Sequence, residues 1–283
     1  MIKISIAIPY HGDRRKWTSH TVMNCHNLNF VKEIIITAEP KSETRKLAAA
    51  MLPYKKVRIY HNTENLFVFR NKVEAVRRCS GDWVALIDSD NIMGSIFLFS
   101  FLNTIHNNNV IYAPSFGEPM LRYEKYVGID INLRKAAELI EEKAFVMLLN
   151  TMNYIFNRQA WLAALEDAIK SGYDPLTADS AWINYNCLKA GMVMRVLKGM
   201  TYKHTVHAES TFKLHAADGE REYAKIIKIL RESRNENSSG AAGVHAEAKN
   251  TVSNSSNWSA TGRSGRGVLS SGEGPDKTNL LTD

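Results

Sequence analysis

The chain has 283 residues, of which 45% are hydrophobic and 23% are charged, a composition that is ordinary for a globular protein with one large core or two small ones. Its formal net charge of +7 fits an anionic ligand such as a nucleoside diphosphate, or an acidic membrane surface, and is too small to indicate nucleic acid as a partner. The longest apolar stretch, residues 96–102, is too short to cross a bilayer, so any contact with a membrane would be peripheral.

The first half of the chain alternates short apolar runs with helical patterns. The apolar runs predict five strands, at residues 4–8, 33–37, 56–60, 83–87 and 110–113. The segments between them predict helices at residues 16–26, 42–51, 66–79 and 95–106. Apolar strands that alternate with helices predict a mostly parallel sheet with helices on both faces. Ligands of such sheets bind where the strands end, which here means after the first, second and fourth strands.

The second half is less regular. It predicts helices at residues 133–149, 159–171, 178–190 and 220–234, and strands at residues 151–157, 192–196 and 200–203. After residue 234 the chain becomes rich in Ser, Gly, Asn and Thr, a composition that cannot offset the entropy of ordering. The sequence therefore predicts one α/β domain at residues 1–215, an amphipathic helix at 216–234 and a disordered tail at 235–283.

Three features bear on location. Cys25, Cys79 and Cys187 form no metal-type spacing and predict reduced thiols in a cytoplasmic setting. The first residues lack the long apolar region of a signal peptide. The basic helix at 220–234 is expected to pack on the domain, and its contact with an anionic membrane at the inner face is a second hypothesis.

The strongest chemical signal is Asp88-Ser89-Asp90-Asn91, directly after the apolar run WVALI. Two carboxylates at i and i+2 after a buried strand can reach one polar site, and such hard oxygen ligands suit Mg²⁺ or Mn²⁺. That cation could neutralise the charge on a leaving nucleoside diphosphate. The alternative is a structural Asx-turn in which Asn91 caps the next helix.

This motif and four other segments resemble the family 2 glycosyltransferases, whose catalytic domain has the Rossmann-like GT-A fold. IAIPYHGDR is similar to the family's opening strand and P-x-x-N-R loop, with Pro9 and Arg14 matching and the usual Asn absent. EIIITAEPKSET stands where the family usually has D-D-G-S-x-D, and it offers Glu39, with Glu43 as a weaker candidate, as the acid near the nucleoside. A solvated loop acid is the alternative for both.

The longest matching segment is NTENLFVFRNKVEAVRRCSGDWVALIDSDN. By resemblance, Arg70 and Asn71 would face the nucleotide, and a helix-surface arginine is the alternative for Arg70. In LTADSAWINYNCLKAGM, Asp179 matches the family's acid at a helix start, where it acts as the general base of inverting enzymes. Asp179 could also cap this helix, instead of acting as the base or in addition to it. In TYKHTVHAEST, His204 and His207 are candidate metal or phosphate ligands, with a structural histidine as the alternative for each.

The resemblance implies a metal-dependent, inverting glycosyltransferase that uses Mn²⁺ or Mg²⁺. It would move a sugar from a nucleotide-sugar, with UDP as the expected nucleotide, to a hydroxyl of a glycan or lipid-linked acceptor, as in polysaccharide biosynthesis. Asp179 would be catalytic. The donor site would comprise Pro9, Arg14, Glu39, Arg70, Asn71, Asp88, Ser89 and Asp90. The metal ligands would come from Asp88, Asp90, His204 and His207.

Two other functions remain open at this point. One is a non-catalytic relative that binds a nucleotide-sugar or a glycan, which the departures at residues 9–14 and 38–43 would allow. The other is a sugar nucleotidyltransferase, which usually has a Gly-rich basic loop after its first strand. IPYHGDRRK has one Gly and two Arg there and fits this alternative poorly.

Overall fold

The structure of the protein is a computed structural model that describes residues 2–39, 43–172, 174–175, 177–205 and 216–247. It divides into a main body, residues 1–240, and a second unit, residues 241–283. Only the helical residues 241–247 of the second unit are described.

The first half of the main body forms four parallel strands joined by helices. The strands are β1 (Ile4–Tyr10), β2 (Val31–Ala38), β3 (Val57–His61) and β4 (Trp83–Leu86), in the order β3-β2-β1-β4. The helices are α1 (Arg15–Cys25), α2 (Glu43–Met51) and α3 (Phe67–Arg78). Nearly all residues of β1, β2 and β4 are buried, because helices cover both faces of the sheet.

The second half extends this sheet and makes it mixed. The added strands are β5 (Ile92–Met93), β6 (Val110–Glu118), β7 (Leu121–Arg122), β8 (Asp130–Ile131), β9 (Tyr154–Asn157) and β10 (Val193–Lys203). The order continues as β4-β9-β6-β10-β5, with β9 antiparallel to both neighbours and β6 parallel to β10. The α/β class is confirmed. The sheet is not parallel throughout, because the antiparallel strand β9 lies between the parallel strands β3-β2-β1-β4 and the parallel pair β6-β10.

The other α-helices follow β4 in the chain. They are α4 (Ser95–Leu102), α5 (Leu133–Leu139), α6 (Lys143–Leu149), α7 (Arg158–Ala164), α8 (Glu166–Lys170), α9 (Asp179–Lys189) and α10 (Ala216–Glu247). The predicted helices at 133–149 and 159–171 are each two shorter helices. The predicted strands at 192–196 and 200–203 are one strand, since β10 continues through a bulge in which Gly199 has a φ of +78°.

The first part of helix α10 belongs to the main body and buries its apolar face there. Ile226 and Leu230 are almost completely buried. Arg231 makes two hydrogen bonds to Glu141, at 2.7 and 2.8 Å. The helix continues beyond the predicted boundary at residue 234, to Glu247, and residues 248–283 of the predicted tail lie outside the described residues.

The described residues also bear on the thiols and on membranes. Cys25, Cys79 and Cys187 are buried and free, as predicted for reduced thiols. Burial raises the pKa of the Cys25 thiol to about 12. In the part of the chain that the structure describes, no helix has the length and apolar character needed to span a membrane.

Candidate active site

The Asp88–Asn91 segment forms a tight turn at the carboxyl end of β4. The Asn91 amide donates to the Asp88 carbonyl at 2.9 Å. The side-chain oxygen of Asn153 accepts hydrogen bonds from the Asp88 amide, at 3.1 Å, and from the Asn91 side chain, at 3.4 Å. The Thr18 hydroxyl donates to the Ser89 carbonyl at 3.2 Å. Asn91 is therefore part of the turn, and the alternative that it caps the next helix is wrong, because Gly94 precedes α4 as its N-cap.

A buried lysine that the sequence analysis missed lies between the turn and α9. The Lys72 ammonium nitrogen is 3.1 Å from Oδ1 of Asp88, 2.7 Å from Oδ2 of Asp179 and 3.0 Å from the Ser180 hydroxyl. Its side chain is 4% exposed. Burial alone would lower the pKa of Lys72, but the carboxylates of Asp179 and Asp88 outweigh it and raise this pKa above its usual range. Lys72 is therefore a fixed positive charge.

The second aspartate of the turn, Asp90, pairs with a different basic side chain. The guanidinium group of Arg14, in the loop after β1, forms an ion pair with Asp90. Burial raises the pKa of Asp88, Lys72 opposes this, and the charges of Asp90 and Asp179 add to the increase. Three carboxylates thus share two cations, Lys72 and Arg14.

Asp179 is the first residue of α9, and its side chain is 12% exposed. The N-cap position belongs to Ala178, and no side chain caps the helix there. The alternative that Asp179 caps this helix is therefore wrong. Its carboxylate pairs with Lys72. Ala178 has a φ of +56°, a conformation that costs a non-glycine residue about 1–2 kcal/mol. A strained residue thus directly precedes the candidate base.

Asn71 is buried and holds the ends of two strands together. Its side-chain nitrogen donates to the carbonyls of Tyr10 and Thr37, each at 3.4 Å. Its side-chain oxygen accepts from the Asn62 side chain at 3.1 Å. These bonds give Asn71 a structural role beside the candidate donor site, and a direct contact with the nucleotide stays a prediction.

The other predicted donor residues differ in their burial and partners. Glu39 is buried and lies 2.7 Å from Nδ1 of His11, so it is not a solvated loop acid. Arg70 is half-exposed, as the surface alternative expects, with its Nε 3.3 Å from Asp174. Pro9 lies inside β1, opposite Thr37 of β2. The side chain of Glu43 is outside what the structure describes.

The candidate metal ligands are partly assembled. The Thr205 amide donates to the side-chain oxygen of Asn91 at 3.1 Å, which brings the segment containing His204 onto the Asp88–Asn91 turn. Within the described residues, no three His, Cys, Asp or Glu side chains converge as a ligand cluster. His207 lies outside these residues. Two carboxylates still fit Mg²⁺ or Mn²⁺, since such cations take their remaining ligands from phosphate oxygens and water.

Residues 5–158 of the chain match the model of glycosyl transferase family 2. The chain belongs to this family. Membership makes the protein a glycosyltransferase and disfavours the sugar nucleotidyltransferase alternative. The match ends before Asp179 and His204, so the roles of these residues depend on the structure and on the sequence resemblance. No curated protein matches this sequence.

Several solved structures share the fold. The S. aureus TarS 1-349 structure in complex with UDP has a TM-score of 0.52 and 14% identity, over 81% of this chain and 70% of that chain. The same fragment in complex with UDP-GlcNAc has a TM-score of 0.54 and 14% identity, over 81% and 71%. A longer S. aureus TarS chain gives a TM-score of 0.55 and 15% identity, over 82% of this chain and 43% of its own. At this identity, the likeness establishes the GT-A-like fold.

Proposed function

We propose that this family 2 glycosyltransferase transfers a sugar from a nucleotide-sugar, a UDP-sugar in our proposal, to an acceptor hydroxyl with inversion and with the help of Mn²⁺ or Mg²⁺. The observation that carries the proposal is the grouping of Asp88, Asp90 and Asp179 around Lys72 and Arg14. These side chains come from four separate segments that meet at the carboxyl end of β4. UDP and UDP-GlcNAc in the TarS complexes support the choice of UDP.

The donor side would consist of Arg14, Asp88 and Asp90. The two carboxylates would hold the divalent cation, which would stabilise negative charge on the departing diphosphate. The planar guanidinium group of Arg14 can pair with phosphate oxygens in two-point fashion, and it is already buried next to Asp90. Arg14 would thus contact the diphosphate directly, and Asp88 and Asp90 would contact it through the cation.

The acceptor side would be formed by Asp179. Its carboxylate takes the proton of the acceptor hydroxyl while that oxygen bonds to the anomeric carbon. The bond between this carbon and the diphosphate oxygen breaks in the same step, and its electron pair leaves with UDP. One displacement inverts the configuration. Ser180 and Lys72 fix the position of this end of α9.

The test is isothermal calorimetry with UDP, with and without Mn²⁺, on the wild-type protein and on Asp90→Ala. We expect binding that requires Mn²⁺ in the wild type and is lost in the variant, followed by transfer in a screen of UDP-sugars with glycan and lipid-linked acceptors. If GDP or dTDP bound in place of UDP, the proposed donor would change and the proposed reaction would stand. Absence of binding for all three nucleotides would reject the proposal and favour the non-catalytic relative.

A peripheral contact with an anionic membrane is part of the same proposal for a lipid-linked acceptor. Because Ile226 and Leu230 of α10 are buried, such contact would use exposed basic side chains of this helix, among them Lys225 and Lys228. Co-sedimentation with anionic vesicles should fall in Lys225→Glu/Lys228→Glu. Unchanged co-sedimentation would exclude this surface.

A further inference from the structure

Lys72 lies where helix periodicity predicts an apolar side chain. Its neighbours on the inward side of α3, Phe69, Val73 and Val76, are buried in the core. A charged ammonium group is stable at such a position only when it is fully paired. Without partners, the free energy lost by removing the charge from water far exceeds the free energy gained by packing the side chain. Asp88 and Asp179 supply that pairing.

The two partners of Lys72 have different tasks in the proposed reaction. Asp88 belongs to the donor side and Asp179 to the acceptor side. The separation in sequence is large, since Lys72 and Ser180, the next residue after Asp179, are 108 positions apart. One ammonium ion therefore joins the donor half of the site to the acceptor half.

The ion also bears on cation binding. One oxygen of Asp88 is 3.1 Å from the ammonium nitrogen, whereas Asp90 has its own partner in Arg14. A divalent cation at Asp88 would be repelled by the positive charge of Lys72, and a carboxylate shared by two cations binds each of them less tightly. Lys72 should thus weaken cation binding while it holds Asp179 in place.

We propose that Lys72 is a positioning residue that couples the cation site at Asp88 to the orientation of Asp179. The inference depends on the proposed function, because it assigns the two carboxylates to the two halves of that reaction. It differs from a purely structural role for Lys72 in the direction in which the affinity for the cation changes when Lys72 is removed. Loss of a structural pair would loosen the turn and weaken cation binding, whereas loss of a competing charge strengthens it.

The test measures Mn²⁺ binding in the presence of UDP by calorimetry, beside steady-state kinetics, for the wild type, Lys72→Met and Lys72→Arg. We expect Lys72→Met to bind Mn²⁺ about tenfold more tightly, the scale of a typical coupling between sites. Its kcat should fall at least about tenfold, with no increase in the KM for the donor, because the base is no longer oriented. Lys72→Arg keeps the charge, so its Mn²⁺ affinity should stay near that of the wild type. Unchanged or weaker Mn²⁺ binding by Lys72→Met would overturn the inference.

Two further variants keep the test decisive. Lys189→Met removes an exposed lysine of α9 and should change neither the affinity nor kcat. If Lys72→Met does not fold, Lys72→Met/Asp179→Asn removes one charge of each sign, and its Mn²⁺ affinity is compared with that of Asp179→Asn. The double variant should bind more tightly, and equal or weaker binding would overturn the inference. A wild type that binds neither UDP nor Mn²⁺ would instead reject the proposed function itself.

Discussion

The ion pair between Arg14 and Asp90 joins the loop after β1 to the turn after β4, across 76 positions in the sequence. Both side chains are largely buried, with exposed fractions of 9% and 19%. A charged pair in this setting is oriented and little screened by solvent. Arg14 is therefore held where a diphosphate bound near Asp90 would meet its guanidinium group.

We expect Arg14→Gln to weaken UDP binding about tenfold, because it removes a charge-assisted pair to phosphate. Calorimetry with UDP at saturating Mn²⁺ measures this loss with the cation site filled in both proteins. Arg14→Lys should recover part of the affinity, since it restores the charge but not the two-point geometry. Equal UDP affinity in wild type and Arg14→Gln would show that Arg14 serves only as the partner of Asp90.

Asp179→Asn should abolish most of the transfer while leaving the donor bound. A general base contributes about 10²–10⁴-fold to the rate, so a decrease in kcat of this size is expected. The measurement is sugar transfer under saturating donor, beside calorimetry with UDP and Mn²⁺. Asp167→Asn, at an exposed acid of α8, is the matched control and should remain active. Full activity in Asp179→Asn would assign the base to another group.

Asn71→Ala should destabilise the fold where β1 and β2 end. The substitution removes, in a buried setting, the hydrogen bonds that the Asn71 side chain donates to the carbonyls of Tyr10 and Thr37 and accepts from the Asn62 side chain. We expect a loss of about 2–3 kcal/mol in the free energy of unfolding, measured by urea denaturation. Asn62→Ala removes only one of these bonds and should cost about 1 kcal/mol. A stable Asn71→Ala that has lost UDP binding would instead support the direct contact that the sequence resemblance implies.

The first half of the fold could be predicted from sequence because its strands are mostly apolar and its helices are regular. The second half could not be predicted as well, for local reasons. Strands β5, β7 and β8 have two residues each, too few to show a period. Residues 140–142 separate α5 from α6 within a segment whose pattern predicts one continuous helix. Glu142 leaves the helical conformation there and accepts a hydrogen bond from the Tyr126 hydroxyl at 2.9 Å.

The candidate site could also be predicted from the sequence only in part. Asp88, Asp90 and Asp179 could be found because their residue types and positions form motifs. Lys72 forms no motif, and its partners lie far away in sequence. One signal was available: a lysine on the buried stripe of an amphipathic helix needs a buried counter-charge. That signal predicts the existence of a partner and not its identity.

Glu33 forms a second buried network, at the amino end of the sheet, opposite the candidate site. Its Oε1 accepts from the Ser80 amide at 2.6 Å, the Ser80 hydroxyl at 2.7 Å and the Ser5 hydroxyl at 2.8 Å. Burial alone would raise the pKa of Glu33, but the hydrogen bonds from Ser80 and Ser5 outweigh it and lower this pKa. A carboxyl whose pKa is lower in the folded state stabilises the fold above its unfolded pKa, and that contribution is lost as the pH falls through the folded value.

We therefore expect Glu33→Gln to lower the free energy of unfolding at pH 7 by about 1–3 kcal/mol. The difference from the wild type should shrink as the pH drops below about 4, where the unfolded carboxyl begins to gain a proton. Urea denaturation across this range measures it, and UDP binding should be unaffected. A difference that stays constant with pH would mean that the charge of Glu33 contributes nothing.

Gly81 belongs to the Gly-Asp pair that precedes β4, and close packing explains the glycine. A Cβ atom there would lie 2.7 Å from the Ser5 hydroxyl oxygen and 3.1 Å from the Ser5 amide nitrogen. The Gly81 amide also donates to this hydroxyl at 2.9 Å, so the two strands cannot separate without losing that bond. Gly81→Ala should cost about 1–3 kcal/mol by overpacking, measured as the free energy of unfolding.

The Ser5→Ala background tests the cause of that cost. It removes the hydroxyl oxygen that the new methyl group would meet, so Gly81→Ala should be less destabilising in Ser5→Ala than in the wild type. The two substitutions are in contact, and their effects are expected to be non-additive by about 1 kcal/mol. An equal cost in both backgrounds would point to the backbone of Ser5, at 3.1 Å, as the obstacle, and the glycine would then be required by strand spacing and not by the hydroxyl.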